Sequence, residues 1–187
     1  MTGLSSFNMT EPLVEAMVGL LQANLNTNID SLNAAYADAY TLPHAAQILP
    51  FVPIPSTLES GIPAVGVQEL GSTFNDDIIV SAHATHTYAV VAICQAVDQQ
   101  TLATQLRRMT QAILYTVQQD RKLGTGAGTG TAMEAAGAWN VSFIRYEPGP
   151  LLGDLDPIDP DAPPRSYLSW AAVVMESKRG EIPLSSG

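Results

Sequence analysis

Charge is scarce in this chain. Asp, Glu, Lys and Arg make up 14% of its 187 residues, against about 25% in an average soluble domain. Basic residues are scarcer still: 8 Lys and Arg stand against 18 Asp and Glu, for a net charge of −10. That balance argues against a nucleic-acid binder, whose affinity rests on cations meeting phosphates. It equally argues against docking on anionic lipid, but does not exclude a protein past which DNA slides without sticking. Cysteine is nearly missing. Cys94 alone rules out an intrachain disulfide and a cysteine-based metal site. It lies in the apolar run Ala89–Cys94 and reads as a small core residue rather than a nucleophile. No run reaches about 18 consecutive apolar residues, so no membrane span is expected. Residues 1–9 lack a basic stretch followed by an apolar one, so no signal peptide is expected.

What is there suits one domain over 1–187. Hydrophobic residues make up 46%, enough for a real core. A surface low in charge yet not greasy suits lasting protein contacts, because interface cores are depleted in Lys, Glu and Asp. A compositional bias of the source gives the same numbers.

Thr10 reads as an N-cap, with Pro12 in the first turn. Leu13, Met17, Leu20, Leu21, Leu25, Ile29, Leu32 and Tyr36 then recur at steps of three and four. The spacing predicts a long amphipathic helix, bent in the Asn-rich stretch Asn24–Asn28, with Asp30-Ser31 able to start a second helix. Five prolines between Leu42 and Pro63 predict an extended connector with short edge pieces. Ala64–Leu70 reads as a strand and Gly71–Asp77 as a turn. Ile78–Val97, rich in Val, Ile, Thr and Tyr, is the longest strand candidate; its second half is apolar on both faces. Asp98 is a natural N-cap for a helix whose apolar stripe is Leu102, Leu106, Met109, Ile113, Leu114 and Val117. Arg107, Arg108, Arg121 and Lys122 read as its outer face, placed towards the end that the helix dipole favours. Trp139–Tyr146 and Tyr167–Glu176 read as two closing strands. Long loops are expected at 42–63, 123–137 and 147–165, with a frayed tail from Lys178. The sum is an α+β domain: a largely antiparallel or mixed sheet of about four strands flanked by two main helices.

Motifs for chemistry are thin. Gly124–Thr131 is glycine-rich, but no Lys follows Gly130 and Thr129 stands where a dinucleotide fingerprint needs Gly or Ala. A linker is the expected reading. His83 and His86 lie three apart, which on a strand means opposite faces and no shared metal. Asp154, Asp156, Asp159 and Asp161 lack the central Gly and closing Glu of a calcium loop. No catalytic residue, metal or cofactor is assigned. The loop Glu147–Arg165 is far longer than a hairpin needs. Leu151, Leu152, Leu155 and Ile158 offer apolar anchors, and the four aspartates keep it solvated; it reads as an interaction loop.

Three segments resemble a known family. Met9–Tyr40 is Leu-, Ala- and Asn-rich and leads into prolines. Asp77–Cys94 carries His83 and His86 before an apolar run, followed by the helix Gln99–Arg121. Trp139–Pro150, an Asp/Pro loop and Tyr167–Glu176 close the pattern. Together they resemble the tail-terminator proteins of tailed bacteriophages, which cap the finished tail tube at the head–tail junction. The glycine loop and the acidic loop are departures from that pattern. The resemblance implies a virion protein made in the host cytoplasm and assembled as a ring, most simply a hexamer. It implies contact with tail tube protein below, a connector or stopper protein above, and sheath if the tail contracts. DNA would pass without specific binding; six copies would carry about −60, enough to repel it from an acidic lumen. Another head–tail connector or tail-completion protein fits the same features. A small oligomeric α+β enzyme using His83 or His86 is the rival from a different class.

Overall fold

Asp98 opens a helix because its carboxylate accepts from the Thr101 amide at 2.8 Å and from the Thr101 hydroxyl at 2.7 Å. That hydrogen bond to Thr101 holds the Asp98 carboxyl below its usual range. This helix is α2, Gln99–Gln119. The computed structural model describes residues 10–53, 61–75, 83–121, 123, 139–150 and 166–179. They form α1 (Thr10–Tyr36), β1 (Gln47–Leu49), β2 (Ala64–Asn75), β3 (His83–Ala96), α2, β4 (Trp139–Pro148) and β5 (Tyr167–Arg179). The sheet order is β1-β2-β3-β5-β4. Only β1 and β2 run parallel; the other pairings are antiparallel.

The fold is thus α+β with two helices and a five-stranded mixed sheet. The fifth strand is β1, three residues of the proline-punctuated connector that pair with the start of β2. Both helices lie on one face of the sheet. Their stripes (Leu13, Met17, Leu21, Leu25 and Ile29 on α1; Leu102, Met109, Ile113 and Val117 on α2) bury against Val65, Val67, Tyr88, Val90, Ala92, Cys94, Ala171, Val173 and Met175. Burial pushes the Cys94 thiol up to about 12, which keeps it protonated and inert as expected of a core residue.

Four local expectations change. First, α1 runs unbroken through its asparagines: Asn24 bonds back to the Leu20 carbonyl, but the other three bond to other segments. Asn26 accepts from the Ala45 amide (2.9 Å) and donates to the Ala45 carbonyl (3.4 Å). Asn33 does the same to Leu42, at 2.8 and 3.0 Å. Asn28, buried, donates to Thr116 and Gln119 of α2 at 2.8 and 3.1 Å. Each of these three amides grips a neighbouring segment. Second, β2 continues past Leu70 to Asn75; a bulge absorbs Leu70, Gly71 pairs with Thr87, and only residues 76 and 77 of the expected turn lie outside the described residues. Third, β4 and β5 run on to Pro148 and Arg179, so Glu147 and Lys178 belong to strands. Fourth, Arg108 is not on the outer face.

Arg108 is 7% exposed. It pairs with Asp38 through both guanidinium nitrogens, donates to the Tyr40 carbonyl at 2.9 Å, and lies 4.1 Å from the Tyr36 ring centre and 5.1 Å from that of Tyr40. The hydrogen bond from Arg108 holds the Asp38 carboxyl below its usual range. This cluster pins the end of α1, where Ala37 turns left-handed (φ 49°), onto the middle of α2. Arg121 lies beyond the end of α2, over the Phe143 ring, and not in its last turn. Lys122 lies outside the described residues.

Among the described residues the hydroxyls of Tyr88, Thr110 and Ser177 are buried without a hydrogen-bond partner. The Tyr88 hydroxyl faces the helices with no hydrogen-bond partner, and burial pushes its acidity far down. Tyr88→Phe is therefore expected to stabilise the protein by about 1 kcal/mol, since it removes an unpaired polar atom and keeps the ring. Urea unfolding of the two proteins checks this; a loss of stability would mean the hydroxyl is satisfied in solution.

Candidate functional site

Beyond position 88, β3 is apolar on both faces, as the sequence suggests. Tyr88, Val90, Ala92 and Cys94 meet the helices. Ala89, Val91 and Ile93 point the other way, where neither helix of the described residues lies. Cross-strand pairing puts Ala172, Trp170 and Leu168 of β5 beside them. This helix-free face carries a second apolar cluster of Ala64, Ala89, Val91, Ile93, Leu168 and Ala172, with Val52, Ile62 and Trp170 packed against it.

Two glycines shape it. Gly66 of β2 lets the connector cross the sheet: a Cβ there would come within 2.5 Å of the Phe51 carbonyl oxygen and 2.8 Å of the Val52 Cα. Gly149 sits under the Trp170 indole, which a Cβ would strike. Its amide donates to the Trp170 carbonyl at 2.7 Å, and the Ser169 hydroxyl donates to the Pro150 carbonyl at 2.8 Å. Trp170 is thereby fixed as a wall.

Between that wall and the connector lies an open groove of about 350 Å³, lined by Val52, Pro53, Leu70, Val91, Ile93 and Trp170, with Gln68 and Glu147 as its polar members. Glu147 is the one ionisable residue among the described residues of its lining and is paired with Arg145, two positions back on β4. At the connector end, Leu70 and Phe51 are 52% and 55% exposed. The surface is concave and apolar, with large exposed hydrophobics and one paired charge among its described residues.

On the opposite side of the domain, α2 turns a second surface outward. Gln100, Ala103, Arg107, Gln111, Tyr115 and Gln118 follow the helical repeat and are exposed. No Asp or Glu occurs between 99 and 119. Between this stripe and α1 runs a groove of about 440 Å³, lined by Asn28, Ser31, Leu32, Leu114, Tyr115 and Gln118 among others, none of them charged.

The other sequence candidates scatter. His83 opens β3 and His86 follows three residues on, out of phase with the two-residue repeat of a strand. His86 is buried on the helix side, opposite Ser177. Among the described residues no three His, Cys, Asp or Glu side chains gather as a metal site, and no helix is long and apolar enough to cross a membrane. Leu151, Leu152, Asp154, Leu155, Asp156, Ile158, Asp159 and Asp161 lie outside the described residues, as does Gly124–Thr131. Sequence reading passed over the groove because no segment contains it. Its only local signal was the two-sided apolar pattern of β3. No protein-family model matches the chain, and no curated protein matches it significantly.

Proposed function

We propose that the chain is a structural ring subunit of a tailed-bacteriophage neck, of the tail-terminator kind. It assembles with copies of itself as a hexamer on the last ring of tube protein. Above it meets a connector or stopper, and sheath surrounds it where the tail contracts. The observation that carries this reading is the apolar groove on the helix-free sheet face, a surface of docking character on a chain that must overcome a net charge of −10 to meet its own copies. The scarcity of Lys and Arg supports a lumen that lets DNA pass without gripping phosphate. In this reading the protein has a positional role in the virion and no catalytic one.

Native mass spectrometry and electron microscopy of the purified chain, alone and with tube protein, are expected to give six-fold rings that seat on tube ends. Monomers under both conditions would overturn the reading.

A further inference from the structure

The groove on the helix-free sheet face does not stop at the side of the sheet. Val52 and Gln68, at its connector end, also line a second cleft of about 540 Å³, which continues past Pro50, Phe51 and Glu69 to Val14 and Glu15 of α1. The two cavities make one path around the β1–β2 side of the sheet, from the first turns of α1 to Trp170 on the other face. α1 starts at Thr10, four residues and hence about 6 Å before Val14. Residues 1–9 therefore join the domain at the head of this path. They include Leu4, Phe7 and Met9 and no charged side chain. That suits a groove whose one ionisable residue, among its described lining, is already paired. Nine extended residues reach at most about 30 Å, and the groove from β2 to β5 spans two strand spacings, about 10 Å. The other end of the chain fits worse. β5 ends at Arg179, seven residues and about 23 Å along the strand from Ala172 at the groove, and residues 180–187 include the acid Glu181.

We propose that residues 1–9 of the same chain run through the cleft and fill the groove in the free subunit. Phe7 lies against Phe51 and Val52, and Leu4 against Leu70 and Trp170. The occupant is intramolecular, so a ring contact made through the same groove has to displace it. The seat itself does not rest on the ring reading.

Trp170 is the reporter, and Trp139→Phe leaves it as the only indole. In that background, deletion of residues 1–9 is expected to move the emission to longer wavelength and to raise its quenching by acrylamide; a circular dichroism melt checks that the domain is folded. Leu4→Asp with Phe7→Asp in the full chain should do the same without shortening it. A synthetic peptide of residues 1–9, added to the shortened protein, should reverse the shift saturably. Its Leu4→Asp version should bind at least about tenfold more weakly, the loss of one buried leucine. Unchanged emission and quenching in both the deletion and the double variant would overturn the proposal. So would a parent chain whose Trp170 becomes exposed on dilution alone, since the occupant would then be a second copy. Ring formation is read separately by electron microscopy: rings without the emission shift sink only this proposal, and the shift without rings sinks only the ring reading.

Discussion

An Asn26→Ala, Asn33→Ala double variant is expected to lose about 3 kcal/mol of unfolding free energy. The two amides make four hydrogen bonds to the backbone of Leu42 and Ala45. A hydrogen bond contributes about 1 kcal/mol net, and more when its removal strands a buried partner. Leu42 and Ala45 are themselves buried, so their amides and carbonyls have little access to replacement water. The loss should also free the connector that carries Val52 and Pro53 to the groove. Asn24→Ala is the control. Its amide bonds back to Leu20 within α1, and alanine is the better helix former by about 0.7 kcal/mol, so that change should be neutral or slightly stabilising. Urea titration of all three proteins checks the contrast. Equal small effects at Asn24 and at the Asn26 and Asn33 pair would mean that the clamps contribute nothing.

The second large effect is expected from acid. His86 is 1% exposed in the core below the helices, and burial holds its pKa below the usual 6.5, partly offset by the nearby Glu69 charge. The unfolded chain then takes up a proton at a pH where the folded one does not. Stability is complete above about pH 6.5 and falls as pH drops towards the folded-state pKa, with a slope of up to about 1.4 kcal/mol per pH unit. The carboxyls of Asp38 and Asp98 are shifted down, so their contribution is lost only below about pH 4, a separate window. Thermal melts between pH 7.5 and 5 should show the loss, and His86→Gln should flatten it. An unchanged slope in that variant would assign the loss to other groups.

Much of this architecture is legible in the chain because single residues announce it. Asp98 locates the start of α2 to the residue, and the stripe behind it gives its buried face. The unbroken Val, Ile and Thr run locates β3. The failures share one physical cause: side chains whose partners lie far along the sequence. Asparagines that cap helices in general here reach across to Ala45, Leu42 and Thr116, so a run that looks like a break is a set of fasteners. Arg108 looks like a surface cation until Asp38, 70 residues away, is placed beside it. β1 is too short to show a period. The groove needs Val52, Leu70, Val91 and Trp170 from four separate segments, so no window of sequence displays it. Trp170 reads as a strand residue; that Gly149 carries it as a wall emerges only from the pairing of β4 with β5.

The strand order also governs when this protein can exist during its own synthesis. β5, the last of the described elements in chain order, is not at the margin of the sheet but between β3 and β4. Until residues 167–179 emerge, β4 has no partner and one side of β3, with its row of backbone amides, stands open. Chains generally fold from the N-terminus as they appear, and pairings distant in sequence form late. Here the closing strand is the one that joins the two parts, so a nascent chain can assemble the helices with β2 and β3 but cannot present a finished groove. Trp170, Leu168 and Ala172 all arrive with β5. The groove therefore has no wall until β5 has paired with β3 and β4.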